Sequence, residues 1–285
     1  MTSPILLTGG TGTLGRLVAP LLVDAGKKVR VLTRGSREAE AGLEFVTGDL
    51  ATGRGVEAAV RGVETIVHCA GTAKGDEDKT RHLVQAAAKA GVGHVVYISV
   101  VGADRVPVVS GIDRAMFGYF VSKRMAEEVV ADSGLPYTTL RATQFHDFVL
   151  NMAAQMAKLP VLPAASGVRF QPIDAREVAA RLAELAQGQP AGLVADMGGP
   201  RAYAMSELLR DYLRATGRHR VILPMRQPGR AARAFREGAN LAPDQAVGVR
   251  TWEEFLAERF PSDTRSRHVT RPDGRPKGLE MTDSP

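Results

Sequence analysis

The pentapeptide Tyr119-Phe-Val-Ser-Lys123 begins twenty positions after Ser99, and Ser99, Tyr119 and Lys123 are a set of side chains that can move a proton. Four positions apart on a helix, Tyr119 and Lys123 share one face, one turn apart. An ammonium beside a phenol stabilises the phenolate and lowers a pKa whose reference value is about 10, so the tyrosine is expected to exchange protons near neutrality. Ser99 ends an apolar run, where its hydroxyl is placed to hold a substrate carbonyl or hydroxyl oxygen. Together they form the proton-transfer half of a carbonyl reduction, whose hydride half requires a nicotinamide.

The place for a nicotinamide dinucleotide is at the other end of the chain. The apolar run from Ile5 breaks into Gly9-x-x-Gly12-x-x-Gly15 and then into a helical pattern. In that context Gly9 permits a tight turn, Gly12 removes the Cβ that would keep a pyrophosphate away, and Gly15 lets the helix pack on the strand. The helix N-terminus directs free N–H groups and a positive dipole end at the phosphates.

The elements that must position these groups alternate as a parallel sheet with helical crossovers requires. Strands are predicted at Ile5–Thr8, Val29–Thr33, Glu44–Val46, Thr65–His68, His94–Ser99 and Tyr137–Arg141. Helices are predicted at Gly12–Ala25, Gly55–Val60, Lys79–Ala90 and Tyr119–Ser133. The pattern predicts an α/β fold, a Rossmann doubly wound parallel sheet with a small C-terminal substrate-binding region. Residues 1–145 form the nucleotide-binding core, 146–260 a substrate region interleaved with returning core elements, and 261–285 a disordered tail. Ligands of such sheets bind outside the carboxyl ends of the strands. There Arg34, with Arg37 assisting, stands where an acid would read a free ribose 2′-hydroxyl, so NADP(H) is favoured over NAD(H). Asp49, in Gly48-Asp-Leu50, is placed to bond an adenine amino group, and Ala70 and Gly71 are small where a ribose passes. His68, His82 and His94 fall on different elements without metal-ligand spacing, so no metal is expected.

Thr8-Gly-Gly-Thr-Gly-Thr-Leu-Gly15, Gly48-Asp-Leu50, Tyr97-Ile-Ser99 and Tyr119-x-x-x-Lys123 resemble the short-chain dehydrogenase/reductase superfamily. The chain is similar, more narrowly, to its atypical, NmrA-like NAD(P)H-binding branch through Leu140–Phe145, Phe170–Ala179 and Gly198-Gly-Pro200. The resemblance implies that Gly9, Thr11, Gly12, Thr13 and Leu14 bind the diphosphate region, Arg34 the 2′-phosphate, Asp49 and Leu50 the adenine, and that Ala70 and Gly71 border the ribose. It makes Ser99, Tyr119 and Lys123 the catalytic serine, tyrosine and lysine, with Lys123 also orienting the ribose. It implies an oxidoreductase acting on a small carbonyl or quinone. The same branch holds cofactor-binding redox sensors, and the superfamily holds sugar-nucleotide epimerases and dehydratases, so those readings stay open. Two features depart from the classical pattern: the interval from Ser99 to Tyr119 is long and apolar, a loop that either closes over a hydrophobic substrate or displaces Tyr119 from the nicotinamide, and no fourth catalytic asparagine is identified.

Beyond the sixth strand, the segment from Gln144 to Pro163 has no place in the sheet, and His146 is a candidate hydrogen-bond donor to substrate or a structural residue. Asp174 and Thr251 cap predicted helices, a third helix runs from Ser206 to Thr216, and Leu193–Met197 can add a strand. Arg230, Arg233 and Arg236 share one side of a short helix, by default a solvated basic face. The chain of 285 residues carries a net charge of +6, with 16 basic against 11 acidic side chains after residue 200 and 21 against 20 before it. No zinc-type cysteines and no interleaving of basic and aromatic residues accompany that excess, so no nucleic acid is expected. The lone Cys69 suits a reducing compartment. No signal peptide or membrane-length apolar run is present, so the expectation is a cytoplasmic protein, monomer or homodimer, whose partner is a small-molecule substrate.

Overall fold

The computed structural model describes residues 3–40, 42–72 and 75–261. In chain order the first part runs β1 (Ile5–Thr8), α1 (Gly15–Asp24), β2 (Val29–Thr33), β3 (Leu43–Thr47), α2 (Val56–Val60), β4 (Thr65–His68), α3 (Asp76–Ala90), β5 (His94–Val100), α4 (Gly111–Ala131) and β6 (Tyr137–Ala142). The second part continues α5 (His146–Met156), β7 (Val161–Ala165), β8 (Arg169–Phe170), α6 (Ala175–Leu185), β9 (Gly192–Leu193), β10 (Tyr203–Ala204), α7 (Met205–Ala215), β11 (Val221–Met225), α8 (Arg230–Arg236) and α9 (Trp252–Arg259).

Seven strands make one sheet in the order β3-β2-β1-β4-β5-β6-β9, and every pair in it is parallel. This is the Rossmann-like doubly wound arrangement, with the order reversing between β1 and β4. All seven residues of β5 are buried, because helices cover both faces of this central strand, which explains its unbroken apolar run. On one face, α1 and α6 close a core around Leu7, Val18, Val96, Leu140 and Leu182. On the other, α2 and α3 pack over Leu6, Ile66, Leu83 and Val95, and Tyr97 meets Ala126 and Val130 of α4.

The segment from Gln144 to Pro163 stays out of the main sheet, as expected: α5 is helical, and β7 pairs in parallel with β11 in a separate two-stranded sheet. A further core gathers Val149, Leu162, Tyr203, Leu208 and Trp252 with Phe117 and Phe120 of α4, so the later elements clamp the helix that carries Tyr119 and Lys123. The expected strand near Leu193–Met197 is β9, extended by a bridge from Met197 to Ala142. Asp174 and Thr251 cap α6 and α9 as expected, each accepting from a backbone N–H of the first turn.

Three helix starts differ from the sequence reading by three residues or more. Helix α1 begins at Gly15 and not at Gly12, because residues 9–14 form the turn itself. Helix α3 begins at Asp76, three residues early, with Asp76, Glu77 and Asp78 in its first turn where the dipole favours acids. The largest difference is α4: a capping box between Ser110 and Asp113 starts it at Gly111, so Met116-Phe-Gly118 is helix and not a loop over the substrate. The disordered segment expected at 261–285 lies, apart from Pro261, outside the described residues. Among the described residues no helix is long and apolar enough to cross a membrane.

Candidate active site

The carboxyl ends of β1, β2, β3 and β4 open on a groove of about 450 Å³. Gly9, Thr11, Gly12, Arg34, Asp49, Leu50, Ala70 and Gly71 all line it, together with Thr33, Ala51, Cys69, Thr72 and Lys79. Two residues expected at the diphosphate do not: Thr13 is exposed beside the turn, and Leu14 is buried in the core beneath α1, leaving only its backbone to face a ligand. Arg37 is exposed and is absent from the groove wall.

The glycine turn is shaped as a phosphate cradle. Gly9 has φ +70°, and a Cβ there would lie 2.6 Å from the Ala70 backbone nitrogen. A Cβ on Gly15 would collide with the Gly9 carbonyl and lie 2.6 Å from Gly10 Cα, so this residue can only be glycine if the helix is to start where it does. At Gly12 a Cβ would meet only the Gly9 oxygen, at 3.2 Å; it would otherwise project into open space. These residues fit a dinucleotide diphosphate. Asp49 is oriented by the Ala51 N–H, which donates to Oδ1 at 3.0 Å. The Leu50 carbonyl lies 2.7 Å from His82 Nδ1, which ties the third strand end to α3.

Along the other half of the sheet, Ser99 is buried, and its Oγ has no hydrogen-bond partner among the described residues. Tyr119 is 38% exposed, whereas Lys123, one turn further along α4, is 4% exposed. The ammonium of Lys123 donates to the Tyr97 hydroxyl and to the Ile98 carbonyl, both at 3.2 Å, and lies 3.3 Å from Asp76 Oδ2. From the Tyr119 ring centroid it is 6.0 Å away. Burial draws the Lys123 pKa down, but Tyr97, Tyr119 and Asp76 outweigh it, and the net shift is upward.

That arrangement corrects one expectation. The net shift of the Tyr119 phenol is upward and not downward: although part of the side chain is exposed, desolvation around its hydroxyl outweighs the lowering by Lys123, and the Asp76 carboxylate raises it further. Lys123 still lowers the phenol, but not enough to offset burial and the Asp76 carboxylate. Tyr97, pushed up to about 12 by burial against the lowering effect of Lys123, is a neutral hydrogen-bonding group.

Helix α4 is fixed at several points along its length. Phe117 packs tilted and Phe120 edge-on against Phe235 of α8, at 4.8 and 5.3 Å between centroids. The Ser122 hydroxyl accepts from the Asp76 N–H at 3.1 Å, and Arg141 of β6 forks onto Glu127 at 2.9 and 2.6 Å.

Other candidates separate from the site. His146 is fully buried, stacks on Phe255 at 4.9 Å and is absent from the groove lining, so the structure places it in the packing of α9 and not on the cofactor groove. His68 lies 2.6 Å from Thr8 Oγ1 and 3.1 Å from Thr80 Oγ1, joining β1, β4 and α3. Burial pushes the Cys69 thiol up to about 12, which makes it a poor nucleophile. Arg230, Arg233 and Arg236 do not act as a set: Arg233 pairs with Glu237, and Arg236 donates to the Gln227 carbonyl.

Sequence reasoning missed Tyr97, Asp76 and Lys79. Tyr97 carried a usable signal, since it stands two residues before Ser99 on the same face of β5. Asp76 had none, being one of three consecutive acidic residues of which the fold buries only the first.

Residues 9–148 match the family model described as NAD(P)H-binding. A (4-alkanoyl-5-oxo-2,5-dihydrofuran-3-yl)methyl phosphate reductase from Streptomyces griseus is 31% identical over 219 residues, which cover 75% of this chain and 74% of that protein. A ceramide reductase from Caulobacter vibrioides is 28% identical over 247 residues, covering 79% of this chain and 74% of that one. Among solved structures, an NADPH-dependent quinone oxidoreductase from Escherichia coli, complexed with NADPH, shares the fold with a TM-score of 0.74 at 20% identity, over 90% of this chain and 99% of its own.

Proposed function

Because the chain belongs to the NAD(P)H-binding family, we propose that it is an NADPH-dependent oxidoreductase of the atypical, NmrA-like short-chain type, reducing a small carbonyl or quinone. When bound, the dinucleotide supplies the hydride. The observation that carries this reading is one continuous surface: the groove residues from Gly9 to Arg34 and Asp49 run past Ala70 to Gly71, and Lys123 Nζ lies 3.2 Å from where a Gly71 Cβ would stand.

On this reading the backbone of the glycine turn and the first turn of α1 hold the diphosphate, and Arg34 pairs with the 2′-phosphate. Ser99, whose buried hydroxyl has no protein partner among the described residues, holds the substrate oxygen. Tyr119 donates the proton to that oxygen as negative charge develops on it. A phenol whose pKa is raised is fully protonated at neutral pH, which suits a donor in the reducing direction. The similarity to the Streptomyces and Caulobacter proteins, both reductases, supports reduction over epimerisation.

The test is fluorescence titration of the purified protein with NADPH and NADH, followed by an aldehyde, ketone and quinone panel monitored at the nicotinamide absorbance. Wild type is expected to bind NADPH and turn over a panel member. Tyr119→Phe is expected to bind NADPH equally while losing at least a hundredfold in kcat, about the share of a general acid. Turnover undiminished in that variant removes Tyr119 from the chemistry.

One observation favours a second reading. Lys123 bonds Tyr97 and Ile98 and neighbours Asp76, not the Tyr119 phenol, an arrangement that serves cofactor binding without requiring chemistry. A cofactor-binding redox sensor would bind NADPH, turn over nothing in the panel, and be indifferent to Tyr119→Phe.

A further inference from the structure

Strands β7 and β11 read Val-Leu-Pro-Ala-Ala and Val-Ile-Leu-Pro-Met, with no polar side chain in either. A parallel sheet of such strands is ordinarily covered on both faces. Here Leu162 and Ile222 turn inward onto the core around Trp252. The same register sets Val221 beside Val161, Leu223 beside Pro163 and Met225 beside Ala165 on the outer face. Val161, Val221, Leu223 and Met225 are 42, 65, 52 and 50% exposed, and Pro163 is exposed as well. An apolar sheet face thus stands uncovered among the described residues. The chain beyond Pro261 holds only Val269, Leu279 and Met281 as aliphatic side chains, too few to cover it.

The same segments concentrate positive charge. No Asp or Glu occurs between Asp147 and Asp174 or between Asp211 and Glu237, and the second interval carries seven arginines. At the amino ends of the two strands, Lys158, His219 and Arg220 line an open groove of about 610 Å³ with Pro160 and Val221. Among the described residues Lys158 bonds the Gln155 side chain and Arg220 the His219 carbonyl, neither of them an acid. At the other end Arg226 follows Met225 and is exposed. An apolar face flanked by cations matches the boundary layer of an anionic bilayer, acyl chains meeting the side chains and lipid phosphates the cations. We propose that the outer face of β7 and β11 docks on an anionic phospholipid surface. Val221, Leu223 and Met225 enter the headgroup layer, and Lys158, Arg220 and Arg226 pair with lipid phosphates. Other occupants fit less well. A two-fold copy of the chain would bring arginine against arginine. Strand addition by a peptide needs N–H groups along the free edge. The Ser166 N–H donates to the Met225 carbonyl, so odd-numbered residues of β11 bond β7 and Pro224, which has no N–H, faces that edge. Single-stranded nucleic acid stacks on aromatic side chains, and none of the five outer side chains is aromatic. The docking face is independent of the cofactor groove, none of whose lining residues belongs to these strands.

The experiment is co-sedimentation of the full-length protein with vesicles of phosphatidylcholine alone, or of equal parts phosphatidylcholine and phosphatidylglycerol, at low and high salt. Thermal unfolding and light scattering of each variant run alongside. Wild type is expected to bind the anionic vesicles about tenfold or more tightly than the neutral ones, and to release them as salt rises. Arg220→Ala combined with Arg226→Ala is expected to weaken that binding about fivefold for each arginine removed. Val221→Ser combined with Leu223→Ser keeps every charge and is expected to weaken it about tenfold or more, the share of two side chains leaving an apolar layer. Met225→Ser stands in if that double variant fails to fold. Equal binding to neutral and anionic vesicles, or none to either, overturns the proposal. So does binding that the serine variant retains in full, which is adsorption by charge alone. Binding of a DNA duplex more tightly than the vesicles, kept by the serine variant and lost by the alanine one, makes this a nucleic-acid surface and overturns it too. A wild-type dimer that the serine variant dissociates overturns it in favour of an interface between copies.

Discussion

Tyr97 on β5 receives a hydrogen bond from Lys123 on α4 at 3.2 Å, with both side chains buried, so the lysine of the Tyr-x-x-x-Lys pair is anchored to the sheet and not to its own tyrosine. Tyr97→Phe leaves one ammonium N–H buried without its acceptor. The expected loss is about 1–3 kcal/mol of stability, the cost of an unsatisfied buried donor, read as a lowered urea midpoint with an unchanged slope. A midpoint equal to wild type would mean that water replaces the hydroxyl and that Lys123 does not depend on Tyr97.

Arg34 stands in the groove at the end of β2, the place where a ribose 2′-substituent is read. Arg34→Ala is expected to weaken NADPH by about ten- to a hundredfold, the worth of a charge-assisted pair with phosphate, and to leave NADH within about twofold. Equal losses for both nucleotides would make Arg34 a general contributor and remove the preference for NADPH.

Two histidines make the fold acid-sensitive. Burial pushes His68 down to about 3, with the charges of Lys123 and Lys79 adding to it, and pushes His146 down to about 4, with Asp174 opposing. The unfolded chain takes up these protons below about pH 6.5 while the folded chain does not, so stability present at neutral pH is lost as pH falls from there toward 4. Each histidine contributes a slope of about 1.4 kcal/mol per pH unit in that window. His146→Phe keeps an aromatic ring against Phe255 and gives up no hydrogen bond to the described residues. It is expected to match wild type or exceed it at pH 7 and to flatten the urea midpoint between pH 6.5 and 5. An unchanged pH slope would place the acid sensitivity elsewhere.

Gly15 and Gly26 separate two uses of glycine. Gly26 has a positive φ of +74° but open space around it, whereas a side chain on Gly15 would strike the Gly9 carbonyl. Gly15→Ala is expected to cost about 1–3 kcal/mol by overpacking the turn, and also to weaken NADPH, because relief requires moving the phosphate cradle. Gly26→Ala is expected to cost stability alone. Calorimetric unfolding with and without NADPH measures both. A Gly15→Ala protein with wild-type NADPH affinity would show that the cradle tolerates displacement.

The sequence by itself determined the fold class, the places of the first six strands along the chain and the groove at their carboxyl ends. These features are written in local patterns: buried parallel strands read as apolar runs, the turn needs glycine where a Cβ has no room, and strand-end residues such as Arg34, Asp49 and Gly71 follow from counting along the chain. Only the tertiary structure decided what Lys123 bonds to. Its spacing from Tyr119 was local, but its partners Asp76 and Tyr97 lie on α3 and β5, 47 and 26 residues away in the chain, and which of several acids or phenols is buried beside it depends on how α3 and α4 pack. The direction of the Tyr119 pKa followed from the same packing, because a phenol responds to the net field and burial around it and not to one neighbour on its helix. The fate of His146 was likewise settled by α9, whose Trp252 and Phe255 arrive more than a hundred residues later to enclose it, a contact between distant segments that no local pattern encodes.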